Sequence, residues 1–367
     1  NIFRPGDNDI ADRSEWQGLM VDAMAYTTMG DFIAASQTYR KALAVAQRQA
    51  AEDPADTTKL FMLAMSHRAI ARMLDELGDL AGSEKALRDR LRACKRLMAL
   101  APSDTVAAAE LIAAHVDLAD ACVAQGDRSG ALREYEAAHE VGEHAAALDL
   151  TGTAHSYGLW LVKGRMGRLR YSLDDTTKGM TDLNDALALA EGMAAENPDD
   201  EDWLHALATS REQVSITLAE AGDRAEALSQ CEMAAEIRQR LLARDTSDPE
   251  RQRALARNRL VAGRLLRELD DLDGALKLFR KALTLYRQLQ KQYPPSDVMT
   301  ADVCMIQHII GDTLEQQGQQ HKAMRAYRDT LDDIEQMARR HPGEPTRWGS
   351  LLFGYRRLSA IAEPLNP

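Results

Sequence analysis

The stretch Ala262-Gly263-Arg264-Leu265-Leu266-Arg267-Glu268-Leu269-Asp270-Asp271-Leu272-Asp273-Gly274-Ala275-Leu276-Lys277-Leu278-Phe279-Arg280-Lys281-Ala282 places two helix-forming runs around an Asp-Asp turn. A constant step of forty-eight positions lands on the same turn at Gly30, Gly78, Gly126, Asp174, Gly222, Asp270 and Gly318. The next residue is acidic at Asp31, Asp79, Asp127, Asp175, Asp223 and Asp271, and Gln319 is the exception. A strict period of this length predicts a stacked array with one core that grows by repetition.

Outward from each turn the spacing predicts a helix of roughly 20 residues on either side, as in Asp56–Leu77 and Leu80–Leu100. Pro54, Pro102, Pro198, Pro294 and Pro342 close the second helix, each at the same distance past its turn, because proline lacks the amide that a continuing helix needs. Each unit therefore reads as a hairpin of two long antiparallel helices.

Two columns hold small residues. Seven positions before the turn stand Ala23, Ala71, Ala119, Gly167, Ser215, Gly263 and Gly311. Five positions after it stand Ala35, Ser83, Ala131, Gly179, Ala227, Ala275 and Ala323. Four further on come Tyr39, Leu87, Tyr135, Leu183, Cys231, Phe279 and Tyr327, and then mostly Ala again, all on one helical face. Small side chains at both columns would let the paired backbones approach closely near the turn.

These columns resemble the tetratricopeptide repeat, with Ala262-Gly263-x2-Leu266 and Ile310-Gly311-x2-Leu314 as the first half of its signature. The second half reads Ala275-x3-Phe279-x2-Ala282 and Ala323-x3-Tyr327. The unit is longer than the family's usual one of about 34 residues, so each helix gains about two turns. The resemblance implies an all-α, right-handed solenoid of seven antiparallel hairpins over residues 12–367. Pro345–Glu363 is expected to cap it as a last helix, and residues 1–11 to form a polar leader.

The fourth copy is irregular. It carries Asp174-Asp175 at the turn, Arg170 at an apolar position, and Gly158, Gly164 and Gly167 in its first helix. It is expected to be a bend or soft point.

Composition narrows the function. A net charge of −12 disfavours nucleic acid or an anionic membrane as partner. No apolar run is long enough for a membrane span, and no secretory signal opens the chain, which begins at Asn1 rather than Met. Cys94, Cys122, Cys231 and Cys304 have no CxxC spacing and read as thiols in a reducing, cytoplasmic setting.

The search for chemistry yields no catalytic set, so the reading is non-enzymatic, with no cofactor and no metal. His139-Glu140-x3-His144 has a spacing of five rather than four, which keeps its histidines off one face. His67, His115 and His308 lie on separate first helices. The basic stretch Lys163–Arg170 lacks the order of a P-loop.

In the family that the chain resembles, first helices line a groove that receives peptides. The corresponding columns, thirteen, ten and six positions before each turn, hold Met65, Arg68, Arg72, Ala113, Val116, Asp120, Leu161, Arg168, Glu212, Ile216, Arg257, Leu260, Arg264, Met305, His308 and Asp312. Five arginines stand there against three acids, so the partner expected is a protein or peptide with acidic groups, held by guanidinium forks. The competing reading pairs these arginines with Asp75, Asp120 and Glu268. An alternative function is the sensing arm of a larger signalling enzyme, since Gly30–Leu43 resembles repeats appended to bacterial serine/threonine kinases and to NTPase or protease signalling proteins.

Overall fold

The computed structural model describes residues 7–147, 153–292 and 297–340. Among these residues there are fourteen helices, in order α1 (Asp7–Thr28), α2 (Phe32–Glu52), α3 (Thr57–Glu76), α4 (Leu80–Leu100), α5 (Thr105–Ala124), α6 (Arg128–Ala147), α7 (Thr153–Ser172), α8 (Thr176–Glu196), α9 (Glu201–Glu220), α10 (Arg224–Arg244), α11 (Pro249–Glu268), α12 (Leu272–Gln292), α13 (Asp297–Gln316) and α14 (Gln320–Arg340). Odd and even helices pair into seven hairpins, an all-α repeat fold. α1 begins at Asp7, so the second half of the expected leader is helical. The expected cap, Pro345–Glu363, lies outside the described residues.

All seven turns have a left-handed residue, with φ between 64° at Asp174 and 94° at Gly222. Glycine adopts this conformation freely, whereas for other L-residues it costs roughly 1–2 kcal/mol, least for Asp and Asn. The turn closes each first helix by a six-to-one bond, as from the Asp79 amide to the Leu74 carbonyl, 2.8 Å. The acidic residue that follows then caps the second helix. Asp31, Asp79, Asp127, Asp223 and Asp271 accept from the amides of Ala34, Gly82, Gly130, Glu226 and Gly274. A second set of caps starts the first helices: Asp56, Asp104, Asp200 and Asp248 each accept from two amides.

The small columns permit the expected backbone approach. A Cβ at Gly263 would lie 2.5 Å from the Phe279 ring, and one at Gly311 would overlap the Tyr327 ring. A Cβ at Gly167 would meet the Gly179 carbonyl at 2.8 Å. Where the column holds serine, Ser215 donates to the Ala227 carbonyl at 2.6 Å.

The chain divides into two compact units, Asn1–Leu189 and Ala190–Pro367, and the division falls within α8. In the first unit, Ala71, Leu87, Leu91, Cys94, Leu111 and Leu118 form one buried cluster. Ile112, Val116, Tyr135, Val162 and Met166 form another. The second unit is centred on Leu260, Phe279, Tyr286, Ile306, Ile310 and Tyr327. All four cysteines are buried, and burial pushes the thiols of Cys94, Cys231 and Cys304 up to about 12.

α7 of the irregular fourth copy is one continuous helix. A Cβ at Gly158 would stand 3.2 Å from Ile112. Arg170 is half-buried and bonds Glu136 on α6 and Asp182 on α8, at 2.9 and 2.7 Å. The unusual residues thus serve close packing and a charge bridge.

Gly311→Ala is expected to lower stability by about 1–3 kcal/mol, because the Tyr327 ring must move. Gly192→Ala, where an added Cβ meets nothing within 4 Å, should raise it by about 0.5–1 kcal/mol. Chemical denaturation of the two variants checks the contrast.

Candidate functional site

Helical periodicity and caps fix the direction of each first-helix side chain, and the groove columns divide into three kinds. Arg68, Arg72, Arg168, Arg257, Arg264, Ile216 and Met305 are exposed. Met65 and Leu161 are half-buried and pack on the core clusters. Val116 and Leu260 are 3% and 5% exposed, which makes them core residues rather than groove residues. The column ten positions before the turn sits on the border between groove and core, so its role changes with the side chain it carries.

The acids of these columns are engaged inside the protein. Asp120 accepts from the Tyr135 hydroxyl and from Arg165. Asp312 accepts from the Tyr327 hydroxyl at 2.6 Å and stands 3.7 Å from His308. His308 also packs against the Tyr327 ring, with centroids 5.4 Å apart. Glu212 pairs with Arg238, which is 6% exposed. Burial, and to a lesser degree bonding to a carboxylate, pushes the Tyr135 and Tyr327 hydroxyls well above the usual tyrosine range.

The partners expected to neutralise the arginines are taken or bypassed. Glu268 bonds Arg224 at 2.6 Å, and Asp120 serves Tyr135 and Arg165. Arg68 instead approaches Asp117 at 3.5 Å. Among the described residues, Arg72, Arg168, Arg257 and Arg264 form no ion pair. Arg257 does act at longer range on half-buried Asp302, whose carboxyl is raised by burial while Arg253 and Arg257 pull it down.

Sequence reasoning missed Arg90, which is fully buried on α4. It donates to Glu110 at 2.9 Å, to the Ala113 carbonyl at 3.2 Å and to Asp117, all on α5. Asp117 is thereby shared between Arg68 and Arg90. Burial, the largest influence, still pushes its carboxyl up, and the two arginines oppose this. The only sequence signal was an arginine in an otherwise apolar helix face.

Beside this network, Arg68, Arg72, Asp75, Leu80, Leu87, Asp117 and Asp120 line an open cavity of about 530 Å³. In the second unit, His205, Arg238, Arg251, Arg257 and four acids, Glu201, Asp202, Asp248 and Glu250, surround one of about 220 Å³. Either could hold a charged side chain of a partner. Among the described residues, no group of three His, Cys, Asp or Glu side chains is arranged to bind a metal.

Residues 207–248 and 259–289 match one tetratricopeptide-repeat model, and residues 23–49 match another. No curated protein is matched by the chain. Among solved structures, it resembles BtubC (BKLC) from P. vanneervenii with a TM-score of 0.56 and 18% identity, over 71% of this chain and 92% of that one. It resembles the apo form of RapI with a TM-score of 0.54 and 13% identity, over 89% of this chain and 99% of that one. A signal transduction ATPase with a tetratricopeptide repeat sensor, from Pyrococcus horikoshii, gives a TM-score of 0.58 and 12% identity. That match spans 96% of this chain and 50% of the ATPase. At such identities the likeness is one of fold.

Arg90→Ala strands Glu110 and Asp117 in a partly dry interface and is expected to cost about 3–5 kcal/mol, measured by thermal or chemical unfolding. A pH effect follows from His67 and His115. Burial lowers both below the usual histidine value near 6.5, against a Glu134 bond at His115 that raises it. Their contribution is full above that value and is lost as pH falls from there to the folded-state value, since the unfolded chain takes up protons first. His67→Gln with His115→Gln should flatten the decline of Tm between pH 7 and 5, as followed by circular dichroism.

Proposed function

We propose that this chain, a tetratricopeptide-repeat protein, is a non-enzymatic scaffold that binds a protein or peptide against the exposed arginines of its first helices. Residues 12–367 act in this reading as a single array. The observation that carries it is the state of the charges. The groove acids are engaged by tyrosines, arginines and a histidine, whereas Arg72, Arg168, Arg257 and Arg264 stay exposed and, among the described residues, form no ion pair. A charge-assisted bond from such a guanidinium to a partner carboxylate that excludes water is worth about 1.5–3 kcal/mol.

Arg72 is the strongest single position, because the cavity beside it has an apolar floor of Ala71, Leu80 and Leu87. This combination suits an acidic side chain next to an apolar one. The four buried thiols fit a reducing, cytoplasmic setting.

A second reading makes the array the sensing arm of a larger signalling enzyme. It is favoured by the resemblance of Gly30–Leu43 to repeats appended to bacterial kinases, and by the Pyrococcus horikoshii ATPase, in which a tetratricopeptide repeat array is the sensor. Binding through the arginines is common to both readings.

Affinity purification with the intact chain, followed by mass spectrometry, identifies the partner. Against that partner, Arg68→Glu with Arg72→Glu, and separately Arg257→Glu with Arg264→Glu, should each weaken binding by about tenfold or more and reduce its salt dependence. Unchanged affinity in both pairs would remove the arginines from the account.

A further inference from the structure

Second helices differ in how their charges are settled. α4 carries six cations, and its arginines are engaged within the protein. Arg88 pairs with Glu84, Arg92 with Asp89, and Arg90 with Glu110 and Asp117, while Arg96 donates to the Pro54 carbonyl at 3.0 Å. α12 carries five cations, Lys277, Arg280, Lys281, Arg287 and Lys291, against the single acid Asp273, so it is +4 in a chain of −12. All five are exposed, and among the described residues none of them forms an ion pair. Asp273 is itself engaged, accepting from Gln317 at 2.9 Å.

Lys277, Lys281, Thr284, Gln288 and Lys291 succeed one another in steps of four and three, with Arg280 and Arg287 beside them. Their shared face runs about 21 Å along the helix and is exposed throughout. Like charges four residues apart, as at Lys277 and Lys281 or at Arg287 and Lys291, destabilise a helix. The packing of α12 uses its other face, where Ala275, Phe279, Ala282, Tyr286 and Leu289 are buried. The core of the hairpin therefore does not call for this row of cations.

A further cation stands beside this face. The column eleven positions before the turn points toward the second helices. His115 bonds Glu134 on α6 at 2.7 Å, and Lys163 bonds Asp185 on α8 at 3.0 Å. Arg211 bonds Gln230 on α10 at 2.8 Å and Glu191 on α8 at 2.6 Å, reaching the second helix of its own hairpin and of the one before. Arg259 holds this position on α11 and is half-buried. The places that supply a carboxylate to its counterparts are occupied here by Leu278, Lys281 and Gln239. Burial alone acts on Arg259, lowering its pKa, and among the described residues it has no ion pair to offset the lost water. By the geometry of Arg211, it points between α10 and α12.

We propose that the outer face of α12 is a second docking surface, which receives an acidic protein segment laid along the helix, with one carboxylate reaching Arg259. Charge complementarity selects the occupant: five unpaired cations in a row call for carboxylates at a similar spacing, as on a short acidic helix. A nucleic acid fits less well. The second helices before and after carry exposed acids, Glu232 and Glu236 on α10 and Asp329 on α14, which repel a polyanion that runs on past α12. Phe279 and Tyr286 are buried, so the face offers no ring for bases to stack on. α12 also exposes no large apolar side chain that could enter a bilayer. The surface lies on a second helix, apart from the groove arginines of the first helices, and stands whether or not those bind a partner.

The probe is a fluorescent helical peptide of about fifteen residues, with Glu in steps of three and four and a photo-reactive group at its centre. Titrated against the full chain at about 0.15 M salt, where distant surface charges are screened, it should bind and should cross-link to α12. Lys277→Glu with Lys281→Glu is expected to weaken binding by about tenfold or more, and Arg259→Gln by roughly fivefold. Circular dichroism should be unchanged in the lysine variant, because both positions are exposed. Absence of binding, or an affinity that either variant leaves unaltered, would overturn the proposal. Adducts confined to α3 or α11 would also overturn it while leaving the groove reading intact. Single-stranded DNA or phosphatidylserine vesicles that bind as tightly, with the same dependence on Lys277 and Lys281, would overturn the assignment to a protein segment.

Discussion

Everything in this molecule hangs on a backbone conformation, the left-handed residue that ends each first helix. With φ between 64° and 94° the chain reverses within two residues, and the following aspartate immediately caps the next helix. The reversal brings the two helices so close that only Gly, Ala or Ser fits seven positions before it and five after it. An aromatic or aliphatic side chain then lies across the gap, as Tyr327 does over Gly311. Regular repetition of this geometry makes the position of each side chain a consequence of its distance from the nearest turn.

That regularity explains which features were legible in the sequence. Turns, caps and small columns depend on residues close together in the chain, so a single copy reveals them and the others repeat them. The charge network was less legible. Arg90 finds Glu110 and Asp117 at separations of 20 and 27 residues, and Arg165 finds Asp120 at 45. Such pairs depend on how one hairpin rests against the next, which column counting does not supply. The same cause misplaced Val116 and Leu260, whose column is part groove and part core. The competing reading, in which Asp75, Asp120 and Glu268 neutralise the groove arginines, does not hold among the described residues: Asp120 and Glu268 bond other donors, and Asp75 forms no ion pair.

The internal wiring also shapes the surface. Tyr135 and Tyr327 occupy the position over the small column, and each reaches with its hydroxyl to an acid of the groove face. Copies with Leu87, Leu183 or Phe279 at that position carry Arg72, Arg168 or Arg264 opposite, and these side chains offer no hydroxyl to bond. In these copies the groove-facing charge is tied to the side chain that packs behind it: acid with tyrosine, arginine with an apolar group. An acidic protein thus keeps separate cationic positions on the faces of its first helices.

Hydrogen exchange on the chain with and without its captured partner is the sharpest test of the arginine face, because it reads the bound surface without altering a residue. Added protection is expected in peptides of the first helices, foremost α3 around Arg68 and Arg72 and α11 around Arg257 and Arg264. Protection confined to the second helices α4 and α12, with α3 and α11 unchanged, would contradict it.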